Sequence, residues 1–290
     1  MGPRQTAGAA IRDDSWGVSV AEDRLFEEAW KTVRVGRDGP VAEVALHRPD
    51  ARNALDTVLM DELTEVARLL RLRTDVLAVI LTGAESYFSA GADLGSSGRR
   101  TAQPSLMEAR RAVMRGPDLC QAWEAIEAVT VAAVEGYCLG GACALVLACD
   151  FRIMSRSAYV RLPEVPLGMN MSWRTLPRLV SLIGPARAKR FVMFGEPADA
   201  ALCDVWGMCD EVVDDGQALA AARGWAAKVA KLPPLPVRMT KEAITAIAAA
   251  NHHASIYMDR DQFLLATRSH DYREGVAAFF EKRDPEFRGD

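Results

Sequence analysis

Two continuous apolar runs of strand length constrain the fold of this chain more than any other feature: DVLAVILTG at 75–83 and VTVAAVEG at 129–136. Runs that are apolar at nearly every position, rather than at alternate ones, are typical of strands buried on both faces of a parallel sheet. DFRIMS at 150–155 adds another strand, and segments with helical patterns lie between the strands. The sequence therefore predicts an α/β fold, in which helices pack on a largely parallel sheet.

A turn and a capped helix precede these strands. TVRVG and VAEVALH flank the turn sequence RDGP, a pattern that predicts a β-hairpin. DTVLMDELTEVARLLRLRT begins with Asp56, which is suited to cap a helix, and its apolar residues recur near helical spacing from Leu59 to Leu70. Further helices are predicted over roughly Met107–Ala128 and after Gly140–Gly141.

Three segments of the chain differ in pattern. Residues 1–29 predict a flexible N-terminal extension, and residues 30–205 carry the mixed strand and helix signals of an α/β core. From residue 206 to 290 the strand signals fade, apart from DEVV, and the pattern is helical. We therefore expect a core of strands and helices followed by a helical C-terminal region.

Composition excludes several classes of function. The net charge is −4 with both signs mixed, which argues against binding to nucleic acid or to an anionic membrane. No run of about 18 apolar residues is present to span a membrane. The six cysteines show no C-x-x-C spacing, so we expect reduced core thiols rather than metal ligands. Reduced thiols suit a reducing compartment, and we expect a cytoplasmic protein without a metal.

Two glycine-containing stretches point to chemistry. FSAGADL at 88–94 places small residues after a strand, where a ligand can approach the backbone closely. In GYCLGGACALVLACD at 136–150, the glycine pair opens a helix, whose free N–H groups and dipole attract negative charge. Two such N–H groups aimed at one oxygen form an oxyanion hole. The alternative is that the glycines only permit tight packing between helix and sheet.

Five blocks occur in one order along the chain: HRPDARNALD, FSAGADL, GYCLGGACALVLACD, LPEVPLG and REGVAAFFEKRDPEF. This order resembles that of the crotonase superfamily, also called the enoyl-CoA hydratase/isomerase family, from about Thr32 to Phe287. The resemblance implies a crotonase-like ββα spiral with a C-terminal helical trimerisation region, in a homotrimer or a dimer of trimers. It also implies an acyl-CoA substrate, a place in fatty acid metabolism, and no cofactor beyond the coenzyme A of the substrate.

The resemblance also implies which residues act. The amides that match the family's oxyanion hole are those of Ala92 and Gly141. Hydratases of the family carry one glutamate that matches Glu164 and a second that matches Ala144, and paired carboxylates suit the addition of water. A single base suffices for double-bond isomerisation, and the mitochondrial isomerase branch likewise keeps the first glutamate and has an apolar residue in place of the second. The apolar neighbours Leu162 and Val165 predict a raised pKa for Glu164.

These residues favour isomerisation of an enoyl-CoA with Glu164 as the single acid and base. Hydration or dehydration, with a substitute group that holds water, is the alternative; decarboxylation or hydrolysis of a CoA thioester is favoured less. Some relatives bind RNA and others are inactive scaffolds. The acidic charge balance argues against RNA binding, and the presence of Glu164 argues against an inactive scaffold.

The substrate pocket is expected where GMNMSW replaces the family's glycine- and proline-rich turn. Asn170, Ser172 and Trp173 are predicted to line it, together with Ala144 and Tyr137. Either Asn170 or Ser172 could hold a water molecule or a hydroxyl group. Trp173 could equally belong to the hydrophobic core, and for Tyr137 a packed ring is favoured over a role in the pocket.

Coenzyme A is expected to contact the positions that match its contacts in the family. These positions are Arg52, Ala90, Leu94, Phe263 and Lys282. For Lys282, an exposed side chain that contacts only solvent is an equally good interpretation.

Overall fold

The structure is a computed structural model that describes residues 25–84, 86–93 and 104–290. Its strands are β1 Val33–Asp38, β2 Val41–Leu46, β3 Ala78–Thr82, β4 Val129–Val134, β5 Tyr137–Leu139, β6 Phe151–Ser155, β7 Tyr159–Arg161, β8 Ala198–Asp199 and β9 Glu211–Val213. Its helices are α1 Thr57–Arg71, α2 Leu106–Ala112, α3 Arg115–Glu124, α4 Gly141–Leu147, α5 Thr175–Ile183, α6 Pro185–Phe194, α7 Ala200–Trp206, α8 Ala218–Val229, α9 Pro234–Ala248, α10 His253–Ala266 and α11 His270–Glu281.

The predicted hairpin and parallel sheet are both confirmed. β1 and β2 pair antiparallel across a turn in which Gly39 has a φ of +54°. The main sheet has the order β1-β2-β3-β4-β6-β9, and every pairing from β2 onward is parallel. Every residue of β3 and β4 is buried, as the two apolar runs predict.

Helices pack on the sheet as expected, with one correction. The Asp56 side chain caps α1 by accepting a hydrogen bond of 2.9 Å from the Leu59 amide. The prediction of one helix over Met107–Ala128 is wrong, because the structure has two helices there, α2 and α3. Pro117 explains the break: it has no amide proton to donate to the preceding turn, so it is tolerated only near the start of a helix.

A small second sheet was not predicted from the sequence. It has the order β5-β7-β8, and its strands are two or three residues long. β5 runs parallel to β7, with Tyr137 opposite Tyr159 and Leu139 opposite Arg161. This sheet matters for function, because β5 leads into α4 and β7 leads into the loop that carries Glu164.

The C-terminal region begins by completing the main sheet. β9, formed by the predicted DEVV strand, pairs with β6, although it lies beyond the predicted boundary at residue 206. Three alanines of α8, Ala218, Ala222 and Ala226, are buried against β3, β4 and β6. At the other end, Leu25 is fully buried, while residues 1–24 of the predicted extension lie outside the described residues. The division into three segments stays a prediction.

The core holds the thiols, as predicted. All six cysteines are buried and none forms a disulfide. Burial raises the pKa of the Cys120 thiol to about 12, so this thiol stays protonated at neutral pH. Among the helices of the described residues, none is long and apolar enough to cross a membrane.

Candidate active site

The loop that follows β3 runs beside β5, at the carboxyl ends of β3 and β4. Ser89 pairs with Cys138 in a parallel bridge, and the Leu139 amide donates to the Ser89 carbonyl at 3.1 Å. A side chain at Gly91 would lie 2.5 Å from the Leu139 carbonyl oxygen, so only glycine permits this approach. The same side-chain position would lie 3.6 Å from the Cα atom of Gly140, so the residues that precede Ala92 and Gly141 are in close contact. The two predicted oxyanion amides therefore come from neighbouring segments.

Both amides are free to bind an oxygen. The Leu55 amide donates to the Gly91 carbonyl, and the Asp93 amide donates to the Leu55 carbonyl. Ala92 lies between these two residues, so its amide points to the other side of the segment. Gly141 is the first residue of α4, where no preceding helical carbonyl is available. Within the described residues, neither amide donates to a backbone or side-chain acceptor of the chain. Two amides without an acceptor on neighbouring segments are what an oxyanion hole requires, and their part in one stays a prediction.

The first sequence block holds this edge in place. The buried Asn53 side chain accepts from the Arg48 amide at 2.8 Å and donates to the Phe88 carbonyl at 3.1 Å. The Ser89 hydroxyl donates to the Asn53 carbonyl at 2.7 Å and accepts from the Gly91 amide at 3.1 Å. HRPDARNALD therefore positions FSAGADL through hydrogen bonds.

Gly140 lies between the predicted base, Glu164, and the segment that carries the Gly141 amide. Its φ of +50° and ψ of −123° suit glycine, and its amide donates to the Arg161 carbonyl at 2.8 Å. A side chain at this position would lie 2.9 Å from Oε1 of Glu164. The carboxyl group of Glu164 therefore lies against the residue that precedes the Gly141 amide.

Glu164 has the properties of a proton-transfer group. Its Oε2 atom is buried and has no hydrogen-bond partner within the described residues. Burial raises the pKa of Glu164 to about 7, and the charge of Arg161 offsets this only in part. A carboxyl group with this pKa exists in both protonation states near neutral pH, so it can take a proton and return it.

The raised pKa of Glu164 means that its ionised form lowers the stability of the fold at high pH. The native state holds this proton more tightly than the unfolded chain, so stability falls as pH rises from about 4.5 to about 7. Glutamine carries no such cost. We therefore compare the free energy of unfolding of Glu164→Gln with that of wild type at pH 5 and at pH 8.5. The difference between the two proteins should move in favour of the variant by about 2–3 kcal/mol from pH 5 to pH 8.5. Urea titrations at the two pH values measure this difference.

Glu242 offers the matched control for this prediction, because it is an exposed glutamate on α9. Glu242→Gln should show no comparable change between the two pH values. A Glu164→Gln variant whose stability relative to wild type is the same at pH 5 and pH 8.5 would show that Glu164 ionises normally in the folded protein.

The predicted pocket residues differ in what they contact. Ala144 is fully buried on α4, so the position that was matched from the sequence to the second glutamate of hydratases carries only a methyl group. The Oδ1 atom of Asn170 is buried without a partner among the described residues. The Ser172 hydroxyl donates to Asp259 at 3.0 Å, and this bond competes with holding a water molecule. Tyr137 stacks on Tyr87 at 5.3 Å.

Trp173 lies at the site and also packs against the core. A side chain at Gly141 would lie 2.5 Å from its Cη2 atom, so the indole ring rests on the residue whose amide is predicted to bind the substrate oxygen. The ring is partly buried and packs against the main hydrophobic cluster. The structure shows the packing of Trp173 against the core, and its part in the substrate pocket stays a prediction.

The predicted CoA-binding residues lie on different elements of the fold. Arg52 and Ala90 are neighbours, because the Ala90 amide donates to the Arg52 carbonyl at 3.0 Å. Phe263 is half-buried on α10, and Lys282 is exposed at the end of α11. Leu94 lies outside the described residues. The part of these residues in CoA binding stays a prediction.

Two features of the site escaped the sequence analysis. Gly116, at the start of α3, makes room for the Trp173 ring, and Asp259 on α10 binds the turn that carries it. Gly116 lay inside a segment predicted to be one helix. Asp259 lay in a helical tail with no local signal, so only the tertiary structure shows its role.

The comparisons agree with this geometry. The model of a family described as "Enoyl-CoA hydratase/isomerase" matches residues 36–290. The chain is 34% identical over 261 residues to "Probable enoyl-CoA hydratase echA8" of Mycobacterium tuberculosis, covering 89% of this chain and 98% of that protein. It is 31% identical over 255 residues to "2,3-dehydroadipyl-CoA hydratase" of Escherichia coli, covering 88% and 98%.

Solved structures share the fold. An enoyl-CoA hydratase/isomerase from Pseudoalteromonas atlantica superposes with a TM-score of 0.79 at 27% identity, over 89% of this chain and 100% of that one. An enoyl-CoA hydratase from Bacillus anthracis superposes with a TM-score of 0.71 at 31% identity, over 90% and 100%. The predicted crotonase-like α/β fold is confirmed.

Proposed function

The chain belongs to the enoyl-CoA hydratase/isomerase family, and we propose that it isomerises an enoyl-CoA through an enolate, with Glu164 as the single acid and base. The proposal rests on one observation above all: Oε1 of Glu164 lies 2.9 Å from the side-chain position of Gly140, the residue that precedes Gly141. A thioester oxygen bound by that amide would hold its α-carbon near the carboxyl group.

The reaction needs one proton-transfer group and no net change of atoms. Ionised Glu164 removes a proton from the α-carbon of a 3-enoyl thioester, and the electron pair moves toward the thioester oxygen. The amides of Ala92 and Gly141 stabilise the negative charge that develops there. Protonated Glu164 then returns the proton to the γ-carbon, which leaves the 2-enoyl thioester and regenerates the carboxylate.

The buried methyl group of Ala144 favours isomerisation over hydration. Adding water requires one group to activate the water molecule while another delivers a proton to the α-carbon. In this chain Glu164 supplies one carboxyl group, and position 144 offers none. The Glu164 pKa of about 7 suits a group that must take up a proton and give it back during one turnover.

Hydration is the second candidate, and Asn170 is the observation that favours it. Its Oδ1 atom is buried and unpartnered among the described residues, so it could accept a hydrogen bond from a water molecule. The named relatives are hydratases, including "Short-chain-enoyl-CoA hydratase" of Clostridium acetobutylicum. In this alternative Asn170 replaces the missing carboxylate in orienting water.

The two candidates are separated by their products. Proton NMR of a short 3-enoyl-CoA, and separately of crotonyl-CoA, measures isomerisation and hydration in the same protein. We expect isomerisation to exceed hydration by at least about tenfold, since a missing acid or base group costs roughly 10²–10⁴-fold. Asn170→Ala should leave isomerisation in place. Hydration that is faster than isomerisation, and that Asn170→Ala abolishes, would establish the second candidate instead.

We also propose that the chain assembles into trimers through its C-terminal helices. α9 and α10 expose several large apolar side chains, and isolated monomers rarely leave so many together. These side chains are Leu235, Met239, Ile244, Ile247, Tyr257, Met258 and Leu265.

A further inference from the structure

The turn that carries Trp173 has an unusual backbone. Trp173 has a φ of +64° and Arg174 a φ of +57°, two successive non-glycine residues in the left-handed region. Bulky side chains adopt this conformation only at a free-energy cost, and such positions cluster at functional sites. A tryptophan needed only for core packing could be placed without this cost.

Hydrogen bonds from another helix hold the turn. Oδ2 of Asp259 on α10 accepts from the Ser172 hydroxyl at 3.0 Å and from the Arg174 amide at 3.1 Å. These two residues flank Trp173, so the backbone on both sides of the indole ring is fixed to α10.

The ring fits only because two glycines make room for it. A side chain at Gly116 would lie 2.0 Å from the Trp173 Cε2 atom, and one at Gly141 would lie 2.5 Å from its Cη2 atom. The ring therefore stands between the first turns of α3 and α4. Its α4 edge touches the residue whose amide is proposed to bind the thioester oxygen.

A cavity of about 620 Å³ lies next to this turn, and Pro117 and Arg174, the chain neighbours of Gly116 and Trp173, both line it. Its wall is mostly polar and charged, so it does not offer an apolar path for a long acyl chain. The space that an acyl chain could gain beside Gly141 is therefore the volume that the indole ring itself fills.

We propose that Trp173 is the wall that ends the acyl-binding space, so that the enzyme takes short acyl groups and excludes long ones. The inference rests on the proposed function, since it assigns the acyl class of that site. Trp173 acts here as a specificity-determining residue, and Asp259 acts through it as a positioning residue.

Binding of two saturated thioesters, butyryl-CoA and decanoyl-CoA, tests the proposal by isothermal titration calorimetry. Where space is available, each buried methylene increases affinity by about fourfold. Wild type should bind decanoyl-CoA no more tightly than butyryl-CoA. Trp173→Gly, in which glycine suits the left-handed backbone, should bind decanoyl-CoA at least about tenfold more tightly than butyryl-CoA.

Two further variants keep the result interpretable. Trp173→Asn also suits a left-handed backbone, and it should repeat the gain for decanoyl-CoA if the glycine variant fails to fold. Trp225→Ala removes a half-buried indole on α8 that packs on Phe151, and it should keep the wild-type preference.

Wild type that already binds decanoyl-CoA more tightly than butyryl-CoA would overturn the proposal. So would Trp173 variants that bind the two thioesters in the wild-type ratio. If wild type binds butyryl-CoA and isomerises a short 3-enoyl-CoA in either case, only the assignment of Trp173 fails. If neither thioester binds to any variant, the proposed function fails and this inference with it.

Discussion

Glu164→Gln is expected to lower turnover of a short 3-enoyl-CoA by at least about a hundredfold, because general acid–base groups contribute roughly 10²–10⁴-fold. Glutamine keeps the size of the side chain and deletes only its ability to take and return a proton. The variant has a firm structural basis, since Oε2 of Glu164 makes no hydrogen bond within the described residues that the substitution would break. Affinity for butyryl-CoA should change little.

Glu242→Gln on the exposed face of α9 is the control, and it should keep the wild-type rate. Wild-type activity should also rise with pH as Glu164 ionises, with a midpoint near its pKa of about 7, until any other group limits the rate. A Glu164→Gln variant that retains more than about a tenth of wild-type turnover would mean that another group carries the proton.

Removing the Gly141 amide proton is expected to lower turnover by about 10²–10³-fold, the range found when an oxyanion-hole donor is lost from an enzyme. Proline at the first position of a helix is well tolerated and lacks the N–H group. Its ring, however, would collide with Trp173, which lies 2.5 Å from the position of a side chain at Gly141. The substitution is therefore made in a Trp173→Gly background.

The matched control in that background is Gly141→Ala, which adds a side-chain carbon and keeps the amide proton. We expect Trp173→Gly/Gly141→Ala to isomerise a short 3-enoyl-CoA at about the rate of Trp173→Gly, and the proline variant to lose activity. Equal activity in the alanine and proline variants, both folded by circular dichroism, would show that the Gly141 amide does not stabilise the enolate.

The main sheet was predictable because its strands are marked locally. The apolar runs that form β3 and β4 and the Asp56 cap of α1 are each specified by a few adjacent residues. The two- and three-residue strands β5, β7 and β8 carry no such signal, because their pairing depends on segments brought together by the rest of the fold. The division of Met107–Ala128 into two helices depended on Pro117, which helical periodicity alone does not weigh.

The candidate site was predictable in its parts but not in its assembly. Motif order pointed to Ala92, Gly141 and Glu164. The close approach of Gly91 to Gly140 brings the segments of the first two together. The position of the Trp173 ring depends on a left-handed turn, on two glycines and on Asp259, which is 86 residues away along the chain. Interactions over such separations leave no local pattern to recognise.

Exchange of the α-protons of butyryl-CoA in heavy water tests the central claim most directly. This saturated thioester can form the enolate but has no double bond to move or hydrate, so the measurement isolates proton removal at the α-carbon. Followed by NMR, wild type should replace the α-protons by deuterium, and Glu164→Gln should leave them in place. Equal exchange by the two proteins would contradict the assignment of Glu164 as the base.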